Sequence, residues 1–273
     1  MFRVTGFAFC LSAVLALLAP ATSVSAEGLK VGGTGSANEL LRIIGRAWSL
    51  TPEGANLELV PGLGSSGAIA AVADGVLDIA ISGRPLKDAE QATGVRALVF
   101  AVTPYVLATS HPTAIALQST SVAAFYSSPK SSWPDGTDVK PILRPRSESD
   151  TVLLAAMFPG MADALQSMRL RADIPIAATD QDNLDLAERI PGSLAAASLA
   201  QIVNEKRNLR MLQIDNVTPS VTALEQGAYR FVKVFHLVSK SEAPPQVVAL
   251  MKFLKSPAGI DALRAAGTLP AKD

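Results

Sequence analysis

The feature that most limits the possible folds of this chain is a recurring unit, in which a short apolar strand leads through a Gly/Ser-rich loop into a helix. The clearest copy has a strand at 57–60, a loop at Gly64–Gly67 and an Ala-rich helix that runs to Asp74. Another buried strand, Leu77–Ile81, follows. Strand, helix and strand at this spacing predict an α/β fold with a mostly parallel sheet, whose ligands bind at the carboxyl ends of the strands.

The loops of these units place hydroxyl groups where helices begin. A strand at 28–33 runs into Thr34-Gly35-Ser36, and Ser36 with Glu39 has the spacing of a capping box. The loop at Gly64–Gly67 carries two more hydroxyl groups. Hydroxyl groups beside the free N–H groups of a helix N-terminus can hold an oxyanion without a metal.

A third unit differs because its loop is charged. A strand at 139–143 leads through residues 144–151, which include Arg144 and Arg146, into the next helix. An arginine beside helix-starting hydroxyl groups can hold an anion through its charged fork. The same loop could equally be a surface loop in which the arginines pair with Glu148 or Asp150.

The amino-terminal segment predicts export. Residues 1–26 combine an early cation, Arg3, with an apolar run and with small residues before Glu27, as in a cleaved signal peptide. The alternative is a membrane anchor, which needs about 20 apolar residues and no such cleavage site. Cys10 is the only cysteine and lies within this segment, so we expect the mature, periplasmic protein to carry no thiol.

The remaining composition argues against several functional classes. Without the signal peptide the chain would carry one net negative charge and has no basic run, so we expect no nucleic-acid partner. His111 and His236 are the only histidines, and neither lies at the spacing from other ligand or catalytic residues that a metal site or an active site would need. The sequence Gly64–Ala68 lacks the last glycine of a nucleophile elbow. We therefore expect a protein that is not an enzyme and holds no cofactor or metal.

Several weak motifs occur in a familiar order. They are Gly64–Gly67, Ser82–Leu86, Arg146 with Ser149 and Thr151, Ile214 with 217–220, Gly227–Arg230, Phe253–Gly259 and Gly267–Pro270. In this order they resemble the phosphate-binding periplasmic proteins of ABC importers. The resemblance covers nearly the whole mature chain. It implies a two-lobed periplasmic-binding-protein-like fold, in which each lobe is a mostly parallel sheet flanked by helices and an oxyanion is clamped between the lobes.

The resemblance also implies boundaries and site residues. Lobe one would comprise 27–104 and 221–273, and lobe two would comprise 105–220. In the third loop, Arg146 matches the family's arginine better than Arg144 does. The ligand-binding residues expected on this basis are Thr34, Gly35, Ser36, Ser65, Ser66, Arg146, Ser149 and Thr151. Arg84 is added as an expected ligand-binding residue of this chain.

Two departures from the family leave the ligand open. The family has Asp, an acceptor for the proton of hydrogen phosphate, where this chain has Gly83 followed by Arg84. A carboxylate there rejects fully deprotonated anions, so its loss favours a dianion such as sulfate, tungstate or an organic phosphate. The second departure is Asp150, where the family has Gly. Asp150 could restore the acceptor or pair with Arg84, Arg144 or Arg146.

The function expected from the sequence is capture of phosphate or a related oxyanion by a monomer, with delivery to an ABC permease. The alternative is a periplasmic sensor or scaffold that kept the fold, and a phosphate-ester hydrolase comes last. Two tryptophans have structural interpretations. Trp48 lies on the apolar face of the first helix. Trp133 could line the cleft or cover a hydrophobic edge, and we expect the second.

Overall fold

The computed structural model describes residues 1–2, 28–113, 116–128 and 130–271. The predicted signal peptide therefore lies almost entirely outside the described residues. Within the described part of the chain, no helix is long and apolar enough to cross a membrane.

Strands and helices alternate through the first half of the described chain and again toward its end. The strands are β1 Leu29–Gly33, β2 Leu57–Val60, β3 Ile79–Ser82, β4 Val95–Thr109, β5 Ala116–Leu117, β6 Lys140–Pro141, β7 Ser193–Ser198, β8 Arg210–Met211, β9 Gln213–Ile214, β10 Val232–Lys240 and β11 Leu269–Pro270. The helices are α1 Asn38–Ser49, α2 Gly64–Ala73, α3 Asp88–Gln91, α4 Ala124–Ser127, α5 Ser149–Met157, α6 Met161–Met168, α7 Asp180–Arg189, α8 Leu199–Asn204, α9 Val221–Glu225, α10 Pro245–Leu254 and α11 Pro257–Ala265.

The sheet confirms the predicted α/β class. Its central path runs β2-β1-β3-β10-β4-β7-β6. Within this path β1 pairs in parallel with β2 and β3, and β6 pairs in parallel with β7. The two long strands β4 and β10 run antiparallel to each other and join the two parallel sets.

Two large hydrophobic cores lie on either side of this junction. The first contains Trp48 and draws on β1, β3, α1, β10, α10 and α11. The second contains Trp133 and draws on the chain between Tyr105 and Phe231. Strand β4 serves both, because residues 95–104 pair with β10 whereas residues 105–108 pair with β7. We propose that these cores are the two lobes, with the second crossover nearer Phe231 than residue 220.

Two local features complete the comparison with the sequence. The Ser36–Glu39 capping box does not form, because residues 35–37 make a 3-10 turn and the cap of α1 is Ala37. Trp133 is buried as expected: its indole N–H donates to the Gly192 carbonyl at 3.1 Å, and its ring contacts Phe125.

Candidate functional site

The hydroxyl loops lie at the carboxyl ends of the strands, where the two cores meet. Strand β1 ends at Gly33, whose φ of +154° no side chain tolerates in this position because a Cβ would overlap the Ile81 carbonyl. The Thr34 amide then donates to that same carbonyl at 2.9 Å. This bond holds the Thr34–Ser36 loop against the end of β3, facing the second lobe.

The Thr34–Ser36 loop binds a carboxylate of the protein itself. Oδ2 of Asp180, the first residue of α7, accepts hydrogen bonds from Thr34 Oγ1 at 3.1 Å and from the Ser36 amide at 3.0 Å. The Thr34 and Ser36 hydroxyl groups also bond each other at 3.0 Å. Gly35 permits this approach, because a Cβ there would lie 2.5 Å from Gln181 Oε1 and 3.0 Å from Asp180 Oδ2.

Arg144 is the arginine that the structure brings to this carboxylate. Its side chain is 6 % exposed, and its Nη2 lies 3.5 Å from Asp180 Oδ1 and 3.5 Å from a Glu148 carboxylate oxygen. Nη1 donates to the Ala177 carbonyl at 2.7 Å, and within the described structure Nε is buried without a partner. Arg146, which the sequence favoured, is exposed. The hydroxyl group of Thr151 is engaged by the backbone of this loop, since its Oγ1 donates to the carbonyl of Pro145, between the two arginines, at 2.9 Å.

Gly83 lies between the two other hydroxyl loops. Its amide donates to Ser65 Oγ at 3.0 Å. A Cβ at Gly83 would lie 2.9 Å from Ser149 Oγ and 3.2 Å from Cε of Lys233. Glycine therefore suits this position, since a larger residue would have to shift the Ser149 hydroxyl group or the buried Lys233 side chain.

A buried ion pair lies beside Gly83. The Lys233 ammonium group, fully buried in β10, binds the Asp150 carboxylate of α5. Asp150 therefore pairs with Lys233 and not with the three arginines considered from the sequence. Burial raises the pKa of the Asp150 carboxyl group, while the charge of Lys233 opposes that rise. Burial likewise raises the pKa of Glu148, opposed by Arg144.

Arg84 binds partners close to it in the first lobe. Both terminal guanidinium nitrogens donate to the Glu90 carboxylate, at 2.8 and 2.6 Å, and Nη2 also donates to Ser66 Oγ at 2.9 Å. These hydrogen bonds lower the pKa of Glu90. Ser66 is itself exposed. Arg84 was expected to bind the ligand, and in the structure its charge is instead balanced by the Glu90 carboxylate.

The site is a mixed-charge cluster without the composition of a metal centre. Two buried cations, Arg144 and Lys233, face the carboxylates of Asp150, Asp180 and Glu148. Among the residues that the structure describes, no group of three or more His, Cys, Asp or Glu side chains could hold a metal ion.

A family model for the PBP superfamily domain matches residues 19–258. The chain belongs to the PBP superfamily. No curated protein matches the sequence.

Solved structures agree with this membership in the PBP superfamily. A substrate-binding protein from Clostridium perfringens with bound phosphate is 16 % identical, with a TM-score of 0.77 over 90 % of this chain and 100 % of that chain. An ABC-type phosphate transport receptor from Vibrio cholerae is 14 % identical, with a TM-score of 0.63 over 90 % and 100 %. A phosphate-binding protein from Stenotrophomonas maltophilia is 13 % identical, with a TM-score of 0.68 over 90 % and 91 %. At these identities the likeness establishes the fold alone. The ligand has to be inferred from the residues of this chain.

Sequence reasoning missed three members of the cluster: Asp180, Gln181 and Lys233. Gln181 Nε2 donates to the Gly35 carbonyl at 3.0 Å, beside the Asp180 contacts. Two signals were present in the sequence. Thr179 and Asp182 form a capping box that starts α7 at Asp180, and Lys233 is a cation that stands between the apolar residues Val232 and Val234 of a strand.

Proposed function

We propose that this protein is a periplasmic solute-binding protein that captures a small oxyanion between its lobes, and that it delivers the anion to an ABC importer. Its membership in the PBP superfamily supports a binding role. The similar structures are described as phosphate-binding proteins and ABC transport receptors, which supports the anion and the importer. On this proposal the protein is not an enzyme.

One observation carries the oxyanion assignment. Three donors converge on a single carboxylate: the Thr34 hydroxyl group, the Ser36 amide and, at the longer distance of 3.5 Å, the Arg144 guanidinium. A neutral donor pair backed by a guanidinium is what an inorganic oxyanion needs, because charge-assisted hydrogen bonds are stronger than neutral ones. We therefore propose that Thr34, Ser36 and Arg144 are the ligand-binding donors.

The charge of nearby groups bears on which oxyanion binds. Gly83 removes the acceptor that the family would supply on the first lobe, and the Asp150 carboxylate on the second lobe is engaged by Lys233. A protonated ligand therefore lacks a free acceptor beside the Ser65–Gly83 contact. We propose a small oxyanion of the phosphate, sulfate and tungstate class as the ligand, with dianions that carry no proton, such as sulfate and tungstate, preferred over hydrogen phosphate.

The test is calorimetric titration of unfolded, dialysed and refolded protein with phosphate, sulfate, molybdate, tungstate and small phosphonates. Thr34→Val is compared in a chain that carries Asp180→Ala, because Asp180 uses the same donor in the wild type. There it should bind the preferred anion about tenfold to a hundredfold more weakly than Asp180→Ala alone, since a hydrogen bond to a charged group contributes about 1.5–3 kcal/mol. Thr93→Val is the matched control, because the Thr93 hydroxyl group donates to the Glu90 carbonyl and not to Asp180. An anion that bound Asp180→Ala equally well with and without Thr34→Val would contradict the assignment.

A second function, that of a sensor or scaffold, is favoured by a specific observation. The lobes are joined by the protein's own charges, through Lys233 with Asp150 and through the Thr34 loop with Asp180. A molecule closed in this way could present its surface to a partner without a ligand. Failure of every oxyanion to bind the wild type would favour this function, and turnover of an aryl phosphate would instead indicate a hydrolase.

A further inference from the structure

The Asp180 carboxylate stands in a position that a ligand would otherwise take. Its Oδ2 accepts the two hydrogen bonds of the Thr34–Ser36 loop, and its Oδ1 faces Arg144. The two oxygens of one carboxylate thus satisfy donors from both lobes at once. Asp180 is 7 % exposed and is held there by a helix whose own cap, Thr179, is separate from these contacts.

We propose that Asp180 is a built-in occupant of the oxyanion site, which holds the lobes together and competes with dissolved anions. This inference rests on the proposed function and adds the residue that regulates it. A free anion must displace the carboxylate, because two anions cannot share the donors of Thr34 and Ser36 without strong repulsion. The affinity of the wild-type protein is reduced accordingly, and only an anion that interacts better than the carboxylate gains entry.

The position of Asp180 makes displacement possible. It is the first residue of α7, so its side chain projects from the end of the helix and does not lie between helical turns. The neighbouring Gln181 has further partners: its amide donates to the Gly35 carbonyl and to Glu205 at 3.0 Å each. Contact between the lobes near Gly35 can therefore persist when the Asp180 side chain swings out.

The other partners of Arg144 also make it easier for the Asp180 carboxylate to withdraw. Besides Asp180, Arg144 has two partners, a Glu148 carboxylate oxygen at 3.5 Å and the Ala177 carbonyl at 2.7 Å. Loss of the Asp180 carboxylate would therefore leave the guanidinium with partners, whereas its Nε is buried without one among the described residues.

The experiment compares the wild type with Asp180→Ala and with the control Asp182→Ala. Asp182 lies on the same turn of α7, and its carboxylate only accepts from the Thr179 amide at 3.0 Å. Calorimetry with inorganic phosphate should give at least tenfold tighter binding to Asp180→Ala than to the wild type or the control. Formate, which replaces the missing carboxylate, should raise the melting temperature of Asp180→Ala and of neither other protein.

The outcomes separate this inference from the proposed function. Equal phosphate affinity for the wild type and Asp180→Ala overturns the inference and leaves oxyanion capture intact. Binding of phosphate to Asp180→Ala, with none to the wild type, supports the occupant and contradicts capture by the natural protein. Uptake of formate but not phosphate supports the occupant and limits the site to carboxylates. Uptake of neither anion by Asp180→Ala overturns the inference. If Asp180→Ala does not fold, Asp180→Asn keeps the shape and one acceptor, and should still bind phosphate more tightly than the wild type.

Discussion

The Lys233–Asp150 pair offers the sharpest test of how the two lobes are held together. Lys233 is fully buried in β10, whereas Asp150 lies in α5 on the other side of the junction. Replacing Lys233 by Met keeps the length and apolar stem of the side chain but removes its charge. The Asp150 carboxylate then stays buried and loses the ammonium group that it binds.

The expected cost follows from that burial. Leaving one partner of a buried ion pair uncompensated costs about 3–5 kcal/mol. In a protein of this size each kcal/mol lowers the melting temperature by about 2–4 °C, so Lys233→Met should melt roughly 6–20 °C below the wild type. Lys233→Met with Asp150→Asn removes both charges, and we expect it to lose only about 1–2 kcal/mol, for imperfect hydrogen bonding of the amide.

The cost should also depend on pH. Burial raises the pKa of the Asp150 carboxyl group, and removing Lys233 removes the charge that opposed this rise. A carboxyl group whose pKa is higher in the folded than in the unfolded state destabilises the fold as the pH rises through the folded value. The Lys233→Met deficit should therefore be larger at about pH 8 than at about pH 5.

Urea unfolding followed by tryptophan fluorescence measures these differences. Trp48 and Trp133 are buried in different cores, so the signal reports both lobes. Lys240→Met is the matched control, because Lys240 lies on the same strand and is exposed. The reasoning is refuted if Lys233→Met is no less stable than Lys240→Met, or if adding Asp150→Asn recovers none of the loss.

Three further variants test single contacts. Gly83→Ala should lower the free energy of unfolding by about 1–3 kcal/mol, because its methyl group meets the Ser149 hydroxyl group; urea unfolding should show most of this recovered when Ser149→Ala is added. Thr34→Val should cost about 1–3 kcal/mol by the same assay, because Asp180 loses a donor; in a chain that carries Asp180→Ala it should cost far less. Burial lowers the pKa of His236, so the stability that its neutral ring provides above about pH 6.5 is lost as the pH falls. The melting temperature of His236→Gln should therefore fall less than that of the wild type as the pH is lowered below about 6.5. An equal fall in both proteins would contradict this role of the His236 ring.

Local patterns in the sequence predicted the α/β framework and the hydroxyl loops. The loop containing Thr34 and the loop containing Ser65 are each determined by a strand, a glycine and a helix start within a few residues, so the chain nearby is enough to indicate them. The burial of Trp48 followed in the same way from its place on the apolar face of α1.

The partners of the Thr34 loop and of Lys233 could not be predicted from the sequence, because they come from the other lobe. Asp180 lies 146 residues from Thr34, and Asp150 lies 83 residues from Lys233. That Arg144 and not Arg146 lies beside Asp180 could not be predicted for the same reason: the two arginines are separated by one residue, and Asp180 is distant in the chain. By contrast, Arg84 could have been placed from the sequence, since Glu90 lies only six residues away and in the next helix.

The two buried carboxylates of the cluster differ in a way that decides which of them can yield to a ligand. Asp150 is the second residue of α5, its carboxylate binds the fully buried Lys233, and its carbonyl accepts from the Tyr105 hydroxyl group at 3.1 Å. Withdrawal of Asp150 would leave a lysine without water or a partner, at a cost of about 3–5 kcal/mol. Asp180 instead faces hydroxyl and amide donors and an arginine that retains Glu148, and an incoming oxyanion could satisfy the same donors. On the proposed function, competition with Asp180 therefore sets the selectivity among anions, whereas Asp150 stays paired with Lys233.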